Sequence, residues 1–158
     1  MVDPMDALVK LQEAVNRGSV ALWPGEVYPD LGVWMDAPLG RSRVTYAKLA
    51  GSEVQAVALF FHNGFINNIP CFQTGYAVVE AMRRRGMASQ LVAMGIEEMR
   101  TGLRRNGVQE FYVEAVVGLD NTASNNLARR LLSEAPERIT DQLSGEPALR
   151  YVKLIQCN

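Results

Sequence analysis

The chain has few of the side chains that bind metals or carry redox chemistry. Its 158 residues include one histidine, His62, and two cysteines, Cys71 and Cys157. None of the three has metal-ligand spacing with another or with the acidic residues, so no zinc or iron site is expected. Cys71 lies in an apolar segment with no histidine beside it in sequence, and buried cysteines are more often small core residues than nucleophiles.

Long apolar runs and an excess of basic charge are also missing. No apolar run is long enough to span a bilayer, so a water-soluble protein with no membrane partner is expected. The first residues, Met1 to Asp6, lack the basic region and apolar stretch of a signal peptide, and with the low cysteine content they favour the cytoplasm. The net charge of −1 argues against a dedicated nucleic-acid binder, which usually carries a strong basic excess.

What the chain does contain is enough apolar residues for one core. Hydrophobic residues make up 48% of the sequence and charged residues 21%, which excludes a disordered chain. We expect residues 1–158 to form a single domain, in which residues 1–42 are an unusual N-terminal region and residues 43–158 are the core.

Local patterns predict the order of helices and strands. Apolar residues at helical spacing, followed by Gly18, predict a first helix at 4–17. Residues 20–42 are rich in proline and glycine, and only 31–35 looks extended. Later patterns predict strands at 44–49, 54–61, 70–79, 111–117, 137–140 and 148–155, helices at 87–105 and 121–133, and a loop at 62–68. This order favours an α/β (α+β) fold, in which a mixed sheet carries helices on its faces.

The segment 75–91 reads as a strand that runs through a short loop into a helix. Three arginines, Arg83 to Arg85, and Gly86 lie at the junction. Backbone N–H groups in a first helical turn lack partners and carry partial positive charge, and a glycine lets a phosphate approach them closely. The spacing Arg83-x-x-Gly86-x-Ala88 resembles the pyrophosphate-binding signature of the GNAT acyltransferase superfamily. Without that resemblance, the same residues read as a basic, solvated turn that caps a helix.

A second segment, 107–128, resembles the central strand and following helix of the same superfamily. It is similar to the branch that acetylates ribosomal-protein N-termini, in which a glutamate often stands seven residues before an asparagine and a serine three residues after it. Glu114, Asn121 and Ser124 keep both spacings. With the final strand, the resemblance covers roughly the last two thirds of the chain, and two motifs in the right order are more specific than one.

The resemblance implies the GNAT fold, which is a central mixed, mostly antiparallel sheet with helices on both faces. It also implies acetyl-CoA as the acyl-donor substrate, with no metal. In that fold two central strands splay apart, so that strand backbone binds the pantetheine arm and polarises the acetyl carbonyl. The resemblance assigns cofactor binding to Tyr76, Ala77, Val78, Arg83, Arg84, Arg85, Gly86, Met87, Ala88, Ser89 and Asn121. Asn121 is also predicted to cap the helix that it starts.

Two carboxylates are candidate bases for an attacking amine, which is protonated at neutral pH. Glu114 is the only charge in the apolar strand at 111–117, and burial would raise its pKa and suit it to general-base work. The alternative is that Glu114 pairs with an arginine or a backbone amide in the core. Glu80, at the end of the preceding strand, is the rival base, and its alternative role is an exposed turn residue.

Ser124 is the candidate donor to the departing sulfur. Many superfamily members place a tyrosine seven residues after the helix-starting asparagine, but Ala128 stands there in this chain. The resemblance to the ribosomal-protein branch gives that role to Ser124. The alternative is a first-turn hydroxyl that bonds its own backbone.

These features predict an N-acetyltransferase that moves an acetyl group from acetyl-CoA to a primary amine by direct attack. The acceptor, a small molecule or a peptide N-terminus, stays open. A CoA-binding module without turnover is the main alternative, and a nucleic-acid binder that uses residues 83–85 is a second one. The arginine pairs at 104–105 and 129–130 are predicted to be solvated helix faces.

The N-terminal region departs from the superfamily, whose members usually begin with a strand and then two helices that cover the acceptor site. Here the only clear early helix precedes every strand. Three arrangements follow. Residues 20–42 cover the acceptor site in place of the two helices, the site is open, or a second subunit of a homodimer closes it.

Overall fold

The computed structural model describes residues 3–158. Its elements along the chain are α1 (Pro4–Arg17), β1 (Trp23–Pro24), β2 (Leu31–Asp36), β3 (Arg43–Ala50), β4 (Glu53–Ile66), β5 (Ile69–Val78), α2 (Met87–Arg105), β6 (Glu110–Gly118), α3 (Thr122–Leu131), β7 (Glu137–Thr140) and β8 (Pro147–Gln156). Short 3₁₀ turns lie at Pro38–Gly40 and Glu80–Met82. No helix among these residues is both long and apolar enough to cross a membrane.

The strands form one 8-stranded sheet in the order β1-β2-β3-β4-β5-β6-β8-β7. The pair β5–β6 is parallel, and the other neighbours in the sheet are antiparallel. The parallel pair follows from the connection through α2, because parallel neighbours need a long crossover. The prediction of a mixed, mostly antiparallel sheet is confirmed.

Helices cover both faces of this sheet. On one face, α1 packs over an apolar cluster that includes Leu59 and Ala77. On the other face, α2 and α3 pack over a cluster that includes Phe60 and Phe111. Successive side chains of a strand point to opposite faces, so Tyr76 lies on the α2–α3 face while its neighbour Ala77 lies on the α1 face.

Local chemistry sets both ends of α1, and its predicted bounds are confirmed. Asp3 caps the helix, because its side chain accepts a hydrogen bond from the Met5 N–H at 3.0 Å. Pro4 occupies the first turn, where its missing N–H costs nothing. Gly18 ends the helix in the left-handed region, with φ of 67°.

Most other predicted elements agree with the structure within a few residues. The helix at 87–105 and the strand at 137–140 have the predicted bounds. The third helix, predicted at 121–133, is shorter and runs from Thr122 to Leu131. Asn121 lies outside the helix because it serves as the cap.

The loop predicted at 62–68 is wrong. The strand β4 continues through this segment, and a two-residue turn of Asn67 and Asn68 joins it to β5. Both asparagines have positive φ, 51° and 65°, which tight hairpin turns require and which asparagine tolerates better than most residues. A register shift between His62 and Phe65 interrupts the alternation of side chains and hides the strand in the sequence.

Residues 20–42 add two strands to one edge of the sheet, and the extended segment predicted at 31–35 is confirmed as β2. Glu98 of α2 holds the turn between β1 and β2. Its buried carboxylate accepts hydrogen bonds from the backbone N–H groups of residues 26–28, at 2.9 to 3.1 Å. A Cβ at Gly25 would lie 2.3 Å from Glu98 Oε2, so the turn requires glycine there. This region is therefore anchored to α2.

Candidate functional site

The two central strands separate at one end. Residues 71–73 of β5 pair with residues 112–114 of β6, and the pairing stops there. Beyond that point β5 stays paired with β4, and β6 stays paired with β8. The facing edges of 74–78 and 115–118 have no strand partner, so their backbone groups can bond a ligand. The splay that the resemblance implies is present.

A loop with left-handed residues leads from β5 into α2. Arg84 and Gly86 have positive φ values of 64° and 72°. No side chain of the described residues caps the first turn of α2, so its N–H groups and its partial positive charge are open to an anion. Arg83 folds back onto the strand, where its Nε donates to the Val78 carbonyl at 2.9 Å. That bond ties the loop to the end of β5.

A cavity of about 1140 Å³, here called the central cavity, joins this loop to the strand opening. Most of the residues predicted to bind the cofactor line it: Tyr76, Ala77, Val78, Arg83, Arg84, Gly86, Ala88, Ser89 and Asn121. Arg85 and Met87 do not. Arg85 is exposed in the loop, and Met87 packs against the apolar cluster under α2.

Residues from both faces of the sheet line the central cavity. Tyr76 and Val78 belong to the α2–α3 face. Ala77 belongs to the α1 face, and Asp3 and Met5 come from the start of α1. The cavity therefore reaches both sides of the opening between β5 and β6.

Arg129 and Arg130 are exposed, as predicted, but they also line the central cavity. They lie in the last turn of α3, and the Arg130 guanidinium donates to Ser89 Oγ in the first turn of α2 at 3.4 Å. The prediction of a solvated helix face is therefore incomplete. Only the packing of α3 beside α2 brings these side chains to the loop, and nothing local in the sequence signals it.

A hydrogen-bond network fixes the start of α3. Asn121 Oδ1 accepts from the Ser124 N–H at 3.1 Å, which confirms the predicted cap. The buried Asn125 donates from Nδ2 to the carbonyls of Gly118 and Asn121, both at 3.0 Å, and its Oδ1 accepts from the Tyr151 hydroxyl at 2.7 Å. These bonds tie the helix to β6 and β8, and so hold Ser124 at the cavity wall.

Ser124 lines the central cavity together with Tyr76. The Tyr76 hydroxyl oxygen is enclosed and makes no hydrogen bond of normal geometry within residues 3–158. Burial raises the pKa of Tyr76, and the neighbouring Ser124 hydroxyl offsets part of that rise. Ala128, by contrast, is 1% exposed in the apolar core and does not line the cavity.

Glu114 is buried at the last paired position of β6, where the strands begin to separate. Its Oε2 accepts from Arg150 Nε at 2.5 Å, and its Oε1 accepts from Asn63 Nδ2 at 3.2 Å. Arg150 also contacts the exposed Glu137, at 3.4 Å. Glu114 therefore has the arginine partner that the alternative interpretation predicts, and its role as a base stays a prediction. Glu114 does not line the central cavity.

Glu80, the rival base, lies in the exposed 3₁₀ turn after β5. It does not line the central cavity. Glu80 is therefore an exposed turn residue, as the alternative interpretation of the sequence predicts.

Solved structures of the same architecture are acetyltransferases. RimL, a ribosomal L7/L12 alpha-N-protein acetyltransferase in complex with coenzyme A, matches with a TM-score of 0.52 and 24% identity, over 73% of this chain and 64% of that chain. RimJ from Mycobacterium smegmatis, in complex with CoA-disulfide, matches with a TM-score of 0.55 and 18% identity, over 75% and 55% of the two chains. A ribosomal-protein-alanine N-acetyltransferase from Brucella melitensis matches with a TM-score of 0.51 and 18% identity, over 75% and 71%.

This chain has the GNAT acetyltransferase fold. It spans less than two thirds of the length of the RimL and RimJ chains. Comparison of the sequence with protein-family models and with curated proteins gives no match.

The N-terminal part of this chain differs from the usual start of the GNAT fold. Its helix α1 precedes β1, as the sequence predicts, and the residues that follow add strands to the far edge of the sheet. The start of α1, at Asp3 and Met5, borders the central cavity on the α1 face.

Both cysteines are free and buried. Burial is the main cause that raises the pKa of Cys71 to about 11, so its thiol is protonated at neutral pH. Neither Cys71 nor Cys157 lines the central cavity. Within residues 3–158 no group of three or more His, Cys, Asp or Glu side chains is placed to hold a metal ion.

Proposed function

We propose that this protein is an N-acetyltransferase that transfers the acetyl group of acetyl-CoA to a primary amine by direct attack. The observation that supports this most is the central cavity, which joins a cationic loop at a helix start to an opening between two unpaired strand edges. A long ligand with a polyphosphate at one end and a thioester at the other matches both ends of that cavity.

The residues present fit such a donor. Arg83 and Arg84 from the loop and Arg129 and Arg130 from α3 surround the end of the cavity near the open helix start. Arginine forks and free backbone N–H groups are the usual partners of phosphate oxygens. The cavity of about 1140 Å³ also exceeds the roughly 300–1,000 Å³ of most small-molecule sites, as a ligand of this length requires.

Transfer forms a C–N bond and breaks a C–S bond. The amine arrives as an ammonium ion and must lose a proton before its nitrogen attacks the thioester carbon. The electrons of the C–S bond go to the sulfur, which later takes up a proton to become the CoA thiol. The nitrogen loses a second proton to water as the amide forms. Free N–H groups on the edge of residues 74–78 would stabilise the carbonyl oxygen while it carries negative charge.

We assign Glu114 to the amine and Ser124 to the sulfur. Ser124 lies at the cavity wall on the α2–α3 side. Glu114 belongs to the other face, since its neighbours Val113 and Ala115 point into the α2–α3 cluster. The Arg150 guanidinium pairs with the Glu114 carboxylate. In this proposal the Glu114 carboxylate binds the ammonium, takes one of its protons and passes that proton on to water.

We further propose a peptide N-terminus as the acceptor and the cytoplasm as the location. RimL, whose fold this chain shares, is described as an alpha-N-protein acetyltransferase, which supports the choice of a protein terminus over a small amine. The free, buried cysteines are consistent with a reducing compartment.

A CoA-binding module without turnover is the second candidate, and a specific observation favours it. Ala128 stands in the packed core at the position of the tyrosine that many superfamily members use as an acid. A chain that had lost this group and found no substitute would bind the donor and not use it.

Release of free thiol from acetyl-CoA tests the proposal. The panel should contain peptides with a free N-terminus, the same peptides with a formylated N-terminus, and small primary amines. We expect thiol release with free peptide termini and none with the blocked peptides. Binding of acetyl-CoA without release on any amine would assign the chain to the binding module, and absence of binding would overturn both functions.

A further inference from the structure

The Tyr76 hydroxyl in the central cavity is enclosed and makes no hydrogen bond of normal geometry within residues 3–158. The hydroxyl of Thr74, two residues earlier on the same face of β5, is also enclosed and has no partner among these residues. Enclosed polar groups are nearly always paired, because an unpaired one costs about 1–3 kcal/mol. Tyr76 lines the central cavity just past the point where the strands separate, which indicates that a ligand there supplies the partner of its hydroxyl.

The position of Tyr76 suggests which part of the ligand that is. Gln73 is the last residue of β5 that pairs with β6, so Tyr76 lies beside the opening that the thioester would enter. Its hydroxyl adjoins that of Ser124, and both residues line the central cavity. The two hydroxyls come from different elements, β5 and α3, and meet at the same place.

We propose that the Tyr76 hydroxyl is a second hydrogen-bond donor to the departing sulfur of acetyl-CoA, beside Ser124. This inference rests on the proposed function. Tyr76 thereby supplies, from a strand, the phenol that Ala128 cannot supply from the helix.

The phenol acts as a donor and keeps its proton. Burial raises the pKa of Tyr76, so it is protonated at neutral pH and is a weaker acid than a thiol, whose ordinary pKa is about 8.5. As the C–S bond breaks, its electrons move to the sulfur, and O–H···S bonds stabilise the thiolate. The thiolate then takes its proton from water.

The substitution Tyr76→Phe tests this directly, because it removes the hydroxyl and keeps the ring. The probe is CoA, whose free thiol can ionise, compared with desulfo-CoA, which has no sulfur, in calorimetric titrations. Donors to the sulfur stabilise the bound thiolate, so CoA should bind more tightly relative to desulfo-CoA as the pH rises from about 7 to about 9, across the range in which a thiol ionises. In Tyr76→Phe we expect this gain to be about tenfold smaller. Affinity at neutral pH should stay near the wild-type value.

Two other tyrosines provide matched controls. Tyr46 is buried on β3 and does not line the central cavity, so Tyr46→Phe should keep the wild-type pH dependence. Tyr151→Phe breaks the bond to Asn125 and should lower the melting temperature. Tyr76→Phe removes an unpaired hydroxyl, so its melting temperature should be unchanged or higher.

Once an acceptor has been identified, steady-state kinetics gives a second test. Tyr76→Phe should lower kcat about 10- to 100-fold with little change in the KM for acetyl-CoA.

A wild-type pH dependence in Tyr76→Phe would overturn the inference. So would an equal loss of affinity for CoA and desulfo-CoA, since that outcome would place the hydroxyl on the pantetheine arm. If the wild-type protein binds neither ligand, the proposed function itself fails. Binding by the wild type with no effect of Tyr76→Phe rejects only the role of Tyr76.

Discussion

At the scale of single residues, the point where β5 and β6 separate contains a carboxylate paired with a guanidinium. Glu114 is buried, and each of its carboxylate oxygens accepts one hydrogen bond. Arg150 donates to Oε2 and Asn63 donates to Oε1. A carboxylate oxygen has two lone pairs, so each can still accept another donor. The pair therefore serves both the stability of β6 and β8 and, under the proposed function, the binding of the ammonium.

Glu114→Gln should lower turnover by about 10²–10⁴-fold and leave CoA affinity nearly unchanged. Glutamine keeps the shape but cannot take a proton, and the central cavity does not include this residue. The free energy of unfolding should fall by about 1–3 kcal/mol because Arg150 loses its charged partner. Turnover and chemical denaturation measure the two effects. Glu137→Gln, which removes the other carboxylate beside Arg150, is the matched control and should keep full turnover. Unchanged turnover in Glu114→Gln would leave this residue a structural role only.

Ser124→Ala should slow the chemical step by about 10- to 100-fold, the value of one hydrogen bond to a charged atom. Folding should be nearly unaffected, because alanine is a good helix former and the cap bond uses the backbone N–H of residue 124. Single-turnover kinetics and thermal melting check both statements. Full activity would return Ser124 to the role of a first-turn hydroxyl.

We do not expect Ala128→Tyr to restore the activity that Ser124→Ala loses. Ala128 is packed in the core, so the ring would overfill it at a cost of about 1–3 kcal/mol, and the residue does not reach the central cavity.

The sequence predicts the polar residues of the site better than it predicts their surroundings. Spacing alone brings Asn121 and Ser124 to one helix start, and the structure confirms the cap. The Tyr76 side chain is different, because strand alternation gives its face but cannot show that its hydroxyl lacks a partner. The contact of Arg130 with Ser89 depends on tertiary packing and has no local signal.

At the scale of elements, the start of α2 is the feature that distinguishes an anion site from an ordinary turn. The open N–H groups and the left-handed Gly86 lie on the central cavity, while the opposite end of α2 has a second left-handed glycine, Gly107, outside it. The helix therefore offers a comparison between two glycines with similar backbone strain and different surroundings.

Gly86→Glu should abolish the stabilisation of the protein by acetyl-CoA. The new side chain places a negative charge where phosphate would lie, and a Cβ has open space at both glycines, so neither substitution clashes. Gly107→Glu is the control, with φ of 84° against 72° at Gly86. At ligand about 100 times its dissociation constant, the wild type and Gly107→Glu should each gain roughly 2.7 kcal/mol, measured as a shift in the unfolding transition. Equal shifts in both variants would argue against phosphate binding at this helix start.

Element prediction succeeds where capping and periodicity agree and fails where a strand is irregular. Helices α1 and α2 have clear stop signals and correct bounds. The end of β4 is missed because the register shift breaks the period of two, and because the turn uses two asparagines in place of glycine. The anchoring of residues 26–28 by Glu98 could not be predicted, since its partners are distant in sequence.

At the scale of the whole molecule, we expect one buried thiol and two buried phenols to make the stability of the fold fall in alkali. Burial raises the pKa of Cys71 from 9.0 to about 11, Glu114 adds to the rise and Arg150 offsets part of it. Burial raises the pKa of Tyr46 and Tyr76 as well. Between about pH 9 and pH 11 the unfolded chain has lost the Cys71 proton and the folded chain has kept it. The unfolded state then binds fewer protons, so stability falls as the pH rises.

We therefore expect the free energy of unfolding to decline through that window, and to decline less steeply in Cys71→Ala. Denaturant unfolding at a series of pH values gives both slopes. The comparison uses slopes and not absolute stabilities, because the smaller side chain also leaves a small cavity. Identical slopes in the two proteins would contradict the assignment of this pH dependence to Cys71.

Under the proposed function, an acyl donor and an amine meet between β5 and β6. Three features support this: the GNAT fold, the cavity that crosses the strand opening and the cationic helix start. The measurement that tests this most directly is mass spectrometry of a pool of peptides and small amines incubated with acetyl-CoA and the protein. We expect an acetyl group on the free N-terminus of peptides with the wild type, and none with Gly86→Glu. An unmodified pool, from wild-type protein that binds acetyl-CoA, would contradict the proposed function.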